Sequence, residues 1–207
     1  MIDGDITVNW YAHTNGTFNL NGNNPYISFT VDENATLQKD LLVATASGTW
    51  AGTNGNLSFT FDHACAALRF YVKKANALTS TLDISTVKLC NVYKSGNYYY
   101  DGTWTVNTSI DNALSDYTLN TATISNLGSE TYTLLNGTET DSYLFLVPQT
   151  LTEWDGATGT YVEIDWNYNS GASGTAKVPL PKTLVKGKKY DIKINMGNTV
   201  MTTYSNN

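Results

Sequence analysis

Apolar side chains recur at every second position through most of this chain, and a period of two is the strand period, in which successive side chains point to opposite faces of a sheet. The alternation runs through Ile6/Val8/Trp10, Ile27/Phe29/Val31, the short run Leu41 to Ala44, Leu57/Phe59/Phe61, Leu68/Phe70/Val72, Val87/Leu89 and Tyr98/Tyr100. It continues through Trp104/Val106, Tyr117/Leu119, Tyr132/Leu134, Tyr143 to Val147, Val162/Ile164/Trp166/Tyr168, Lys177 to Leu180 and Tyr190/Ile192/Ile194/Met196. No segment keeps a helical period for more than two turns. The pattern predicts an all-β chain folded as an antiparallel two-sheet β-sandwich, since so many short strands need a facing layer to cover their apolar sides. Phe59, Phe70, Leu89, Leu146, Ile164 and Ile192 lie mid-strand on the more apolar face and are the expected core.

Turn signals punctuate the strands at Asn21-Gly22, Asn54-Gly55, Ser95-Gly96, Asp101-Gly102, Asn136-Gly137, Asp155-Gly156 and Lys186-Gly187. Between Phe61 and Leu68 the apolar face changes from odd to even positions. A straight strand cannot do this without turning its core side to solvent, so a bulge or short turn is expected within Asp62 to Ala67. The stretch from Thr45 to Asn56, rich in Gly, Thr, Ser and Asn, reads as a linker. It divides an N-terminal β segment, residues 1–47, with too few strands to close a core, from a β-sandwich domain over residues 48–207. Residues 197–207 carry few apolar anchors, so alone they would bury little and could be mobile, or serve as a strand donated to another subunit.

Several functional classes are disfavoured. The formal net charge is -6 and the basic residues cluster only at Lys186, Lys188 and Lys189, so no stripe exists to neutralise a run of phosphates and nucleic acid is not an expected partner. No apolar stretch approaches the roughly 20 residues of a membrane-spanning helix. The first residues lack the basic-then-apolar form of an export signal, so an exported protein of this sequence would already have lost it. With two cysteines, Cys65 and Cys90, and two histidines, His13 and His63, no metal-ligand spacing appears, and neither a metal nor a cofactor is expected. The cysteines could pair with each other or stay as free buried thiols, and the sequence leaves both open.

Catalytic residues are not expected either. Glu163 and Asp165 point to one face of a strand and resemble the opening of a glycosidase Glu-x-Asp-x-x-Glu signature, but Tyr168 holds the third position. They read as a polar row opposite Val162 and Ile164. His63 lies two residues from Cys65 without a third group to orient it, and reads as a hydrogen-bonded histidine at a strand irregularity. The aromatics Tyr98, Tyr100, Trp104 and Trp154 could instead form a ligand-facing platform of the kind sugars stack on, although aromatics also serve as ordinary cross-strand packing. Five Asn-x-Ser/Thr sequons begin at Asn15, Asn34, Asn56, Asn107 and Asn136, easily reached by chance in a chain so rich in Asn and Thr.

From Asp40 onward the order of landmarks resembles the Bacteroides-type fimbrillin family. Asp40-Leu41-Leu42-Val43-Ala44 is similar to the run that closes the family's first domain. Leu57-Ser58-Phe59-Thr60-Phe61-Asp62-His63-Ala64, with Leu68-Arg69-Phe70 after it, is similar to the opening strand of the second. Phe145-Leu146-Val147-Pro148-Gln149, Val162 to Tyr168, Val178-Pro179-Leu180 and Lys186-Gly187-Lys188-Lys189-Tyr190 then follow in the family's order. Two departures stand out. The segment before Asp40 is shorter than the family's first domain, as in a truncated or reduced member, and Leu184-Val185 stands where a tryptophan often precedes the last turn.

The resemblance implies a transthyretin-like β-sandwich and a cell-surface location, in a fimbrium or at the outer membrane. It also implies a structural or adhesive role in the shaft, tip or anchor, with donor-strand exchange or other strand addition to fellow fimbrial subunits, and host or matrix glycans or proteins as further partners. The alternative reading is a secreted carbohydrate-binding β-sandwich module, and a β-sandwich hydrolase comes third. An open strand edge would favour the first, an exposed line of aromatics the second, and two facing carboxylates the third.

Overall fold

The computed structural model describes residues 6–49, 56–109, 114–120, 122–137, 142–197 and 201–206. The strands are β1 (Thr7–His13), β2 (Thr17–Asn21), β3 (Asn24–Thr30), β4 (Leu42–Thr49), β5 (Asp62–His63) and β6 (Ala66–Lys74). They continue as β7 (Leu82–Tyr93), β8 (Ser95–Tyr99), β9 (Trp104–Val106), β10 (Leu114–Asn120), β11 (Thr133–Leu134) and β12 (Leu144–Leu146). The rest are β13 (Thr150–Leu151), β14 (Tyr161–Tyr168), β15 (Ser173–Pro179), β16 (Lys182–Thr183), β17 (Lys189–Met196) and β18 (Met201–Asn206). A single 3-10 turn at Ala35–Leu37, capped by the Asn34 side chain, is the one helical element among the described residues. The chain is all-β, as the alternation predicts.

Two sheets form the sandwich. One has the order β10-β7-β14-β15 and the other β11-β6-β17-β18, with β12 also paired to β6. Their inward faces are the alternating residues of the sequence: Leu68, Phe70 and Val72 on β6, Ile192 and Ile194 on β17, Leu89 on β7 and Ile164 on β14, all joined in one core. A third sheet, β1-β4-β5, and a fourth, β2-β3-β8-β9, extend the structure, and β13 pairs β16 in a two-stranded ladder. The fourth sheet joins Asn24–Thr30 to Ser95–Tyr99, with Tyr26 opposite Tyr99 and Thr30 opposite Ser95, so residues from both sides of position 47 share it.

The structure departs from the sequence reading in several places. β17 runs parallel to β6, with Ile192 opposite Phe70, where the sequence reading held only antiparallel neighbours. Thr45 to Thr49 belongs to β4 and is laddered to β1, so the regular strand reaches further than its Gly- and Ser-rich composition indicates. Ser95-Gly96 is strand, not turn. A Cβ on Gly96 would come within 2.7 Å of the Thr105 carbonyl oxygen and 3.3 Å of the Trp104 ring, so this glycine serves close packing across β8 and β9. Asn54-Gly55 lies outside the described residues. Of the expected core residues, Phe70, Leu89, Leu146, Ile164 and Ile192 are buried, but Phe59 is only half-buried. The reason is that residues 56–61 belong to no strand, so their alternation faces no opposing layer. Residues 201–206 pair along β17 as an edge strand, contrary to the expected mobile tail.

The chain does break within Asp62 to Ala67, as the change of apolar face requires. β5 ends on the third sheet, Cys65 bends, and β6 begins on the sandwich. The outer side of β6 shows a second local solution. β11 covers Tyr71 and Val72 and β12 covers Ala66 to Leu68, which leaves a gap between two short edge strands. Asn136, buried, fills it with its side-chain amide: Phe70 N donates to Oδ1 at 2.8 Å and Nδ2 donates to the Leu68 carbonyl at 3.0 Å. The amide thus supplies the two hydrogen bonds a strand residue would have made, and a sequon asparagine used this way is not available to a glycan. Asn136→Ala strands a buried donor and acceptor and is expected to lower stability by about 1–3 kcal/mol, measured by urea unfolding.

Candidate strand-accepting edges

The four aromatics singled out in the sequence do not form one platform. Tyr98 is 4% exposed and lies in the core. Its ring meets Trp104 at 5.6 Å and Tyr100 at 5.9 Å between centroids. Trp104 is half-buried, and its indole Nε1 donates to the Ala64 carbonyl at 2.9 Å, tying β9 to the bend before β6. Tyr100 packs 4.6 Å from Tyr11, and burial first, then Tyr98 and Tyr11, push its phenol up to about 12. Trp154 makes its ring contacts elsewhere, with Tyr161 at 4.5 Å and with the Lys177 ammonium at 4.8 Å.

The polar candidates are held by local partners. Glu163 lies 4.0 Å from Lys177, and Asp165 accepts from the Thr175 hydroxyl at 2.6 Å, each on the face of β14 opposite the buried Val162 and Ile164. His63 Nδ1 meets Asp40 Oδ2 across the β4–β5 junction. Cys65 and Cys90 are both free and buried, which decides the question the sequence left open. Burial raises both thiols, Cys90 to about 12, and they are therefore not nucleophiles near neutral pH.

What the structure does present, among the described residues, is a strand edge with no second ladder partner. β10 is laddered to β7 on one side, and on the other it borders a groove of about 1030 Å³. The groove is lined by Thr118 and Leu119 of β10, Ile124, Thr133 and Leu134 of β11, and Phe145 of β12. It therefore lies where the two layers of the sandwich come apart, between the edge of one sheet and the interrupted edge of the other. Glu33 stands at its rim, accepting from Lys94 Nζ at 2.6 Å and from the Ser115 hydroxyl at 3.1 Å, and these hydrogen bonds hold its carboxyl below the usual range. The rim charge is thus neutralised before anything enters. A strand edge offers N–H and C=O groups to another strand, and an apolar floor beside it can take the alternate side chains of that strand. No single residue type marks this arrangement, so it could not be read from sequence; its components are four segments that meet only in the fold.

A family model described as fimbrillin-like matches residues 3–206. Among solved structures, a fimbrial protein from Bacteroides vulgatus is 19% identical with a TM-score of 0.70, covering 95% of this chain and 75% of that one. A candidate cell adhesion protein from Bacteroides ovatus is 19% identical with a TM-score of 0.55, covering 96% and 66%. Another from Bacteroides uniformis is 18% identical with a TM-score of 0.57, covering 96% and 72%. At these identities the likeness is one of fold. No curated protein matches.

Proposed function

This chain belongs to the fimbrillin-like family, and we propose that it is a structural or adhesive subunit of cell-surface fimbriae that joins other subunits by β-strand addition. Family membership carries the fimbrial role and an extracytoplasmic, cell-surface location; strand addition, and a place in the fimbrium or at the outer membrane, are the finer reading. No described helix is long and apolar enough to cross a membrane.

The observation that supports strand addition is the groove beside β10. A strand entering there would extend the β10-β7-β14-β15 sheet by one member through main-chain hydrogen bonds. Every second side chain would point down among Leu119, Ile124, Leu134 and Phe145. Main-chain bonds supply affinity and the floor supplies selectivity. A subunit that offers an edge and receives a strand polymerises without any catalytic or metal chemistry.

A synthetic peptide of residues 197–207, the chain's own terminal edge strand, is the first donor to try. At a hundredfold excess over its Kd it is expected to add about 2.7 kcal/mol, which corresponds to a rise in Tm of about 5–10 °C for a domain this size. The rise should grow with peptide concentration and vanish with a scrambled peptide. No shift with this or with strands from other subunits would remove the mechanism. The carbohydrate-binding alternative would then move ahead, resting on a cavity of about 300 Å³ that Tyr11 and Tyr100 line together with Asn9, Thr45 and Ser47.

A further inference from the structure

The ladder between β1 and β4 is complete, from Thr7 opposite Thr49 to His13 opposite Val43. On the other side of β4 the ladder has two rungs, Leu42 opposite His63 and Val43 opposite Asp62, and then stops. The residues before β5 do not diverge in character. Continued in the same antiparallel register, they would place Phe61 opposite Ala44, Thr60 opposite Thr45, Phe59 opposite Ala46, Ser58 opposite Ser47 and Leu57 opposite Gly48.

Opposed residues of an antiparallel pair share a face. That register therefore sets Phe61, Phe59 and Leu57 on one face beside Ala44, Ala46 and Gly48, and the β1 register adds Ala12, Trp10 and Val8 to the same face. Large side chains flank a central row of small ones. The opposite face pairs Thr60 with Thr45 and Ser58 with Ser47. A slip of one residue would set every phenylalanine against a hydroxyl row, so the pattern specifies one register and rejects its neighbours.

In the structure these rungs are not made. Residues 57–61 carry no backbone hydrogen bond among the described residues. Leu57 is 39% and Phe61 44% exposed, and the Phe59 ring lies 6.4 Å from that of Phe61. We infer that Leu57–Phe61 is an arm that closes on the free edge of β4 in this register, and that while closed it denies that edge to other chains. The edge concerned is not the one beside β10, so this inference stands or falls apart from strand addition there. The arm is tethered through Asp62 to rungs already formed, which gives it the local concentration advantage of a short linker over any strand arriving from solution. Self-capping of an edge by a neighbouring segment is one of the ways β proteins limit unwanted pairing.

The test is a pair of cysteines on the hydroxyl face, where both positions are exposed and the core is untouched. In Ser47→Cys/Ser58→Cys, mild oxidation is expected to give an intramolecular disulfide in the monomer. At about 10 µM protein, a local concentration in the millimolar range favours it over cross-linked dimer by about a hundredfold. The buried Cys65 and Cys90 should stay reduced. Ala46→Cys/Ser58→Cys, whose side chains this register sends to opposite faces, should stay reduced as well. Equal cross-linking of both pairs would mean a loose arm without register, and absence of cross-linking in both would mean that the arm does not close. A disulfide-linked dimer from the Ser47/Ser58 pair would assign the edge to a second copy. Any of the three overturns the inference; unchanged melting curves of the reduced variants establish that each is folded.

Discussion

Phe70→Ala is expected to cost about 3–5 kcal/mol, and Phe59→Ala less than about 1 kcal/mol, although the sequence presents both as the middle member of an alternating apolar triplet. Phe70 is fully buried on β6, opposite Ile192 of β17. Its backbone is engaged twice over, by the Asn136 side chain at its N–H and by Leu135 N at its carbonyl. Neither neighbour can move in to fill the space a lost ring leaves, so both the transfer cost and the cavity cost apply. Phe59 is half in solvent and sits on no ladder, and a closed arm would set it against only the small Ala46, so its truncation forfeits at most a cross-strand pair. Urea unfolding of the two variants beside the parent protein measures the difference. Equal costs would show that residues 57–61 form part of the core.

That contrast also shows where the sequence was readable. Alternation identified strands correctly wherever a facing layer exists: β6, β7, β14 and β17 carry it, and their inward residues make the core. It says nothing about whether a layer is there. Leu57/Phe59/Phe61 alternates as cleanly as Leu68/Phe70/Val72 and remains unladdered. The opposite case is β2, where a short Phe18/Leu20 alternation leaves its side chains largely exposed and buries no face, yet the strand pairs along β3 from Thr17 to Asn21. Backbone pairing needs no buried side chain, and short edge strands are therefore poorly visible. The parallel contact of β6 with β17 joins segments more than a hundred positions apart, and no local pattern encodes such a partner.

The candidate site was less readable than the fold for the same reason. Aromatic side chains suggest a sugar platform on sequence alone because their stacking chemistry is local. Tyr98 and Trp104 instead close the packing between β8 and β9, and Trp154 lies against Tyr161. The groove beside β10 is lined from four segments by residues such as Thr118, Leu119, Leu134 and Phe145, types that carry no signal individually. The expectation of an unpaired edge came from the few strands before Thr45 together with the family resemblance, and which strands end a sheet is a matter of topology.

Alkaline pH is expected to destabilise this protein steeply, through buried thiols and phenols of the fold. Burial is the main cause raising the Cys90 thiol from an ordinary 9.0 to about 12, with Asp116 and Glu163 adding to it, and burial likewise raises Cys65. Tyr117 and Tyr100 are raised above their ordinary 10.0, again first by burial. Well below pH 9, by about pH 7, folded and unfolded chains hold the same protons on these groups and stability is flat with respect to them. Above it the unfolded chain releases protons that the folded chain keeps, so the unfolded state gains and stability falls until the folded values are reached. Each fully released proton contributes about 1.4 kcal/mol per pH unit. Between pH 8 and pH 10.5 the two thiols together then remove about 4 kcal/mol, with the tyrosines steepening the decline above pH 10. Urea unfolding at the two pH values measures the loss. Cys65→Ala/Cys90→Ala provides the control: its stability at pH 8 will differ from that of the parent, but its slope with pH should lose the thiol contribution. A parent protein as stable at pH 10.5 as at pH 8, or a slope unchanged in the double variant, would mean that these thiols already meet solvent in the native state and that the core around β6 and β7 is looser than its packing indicates.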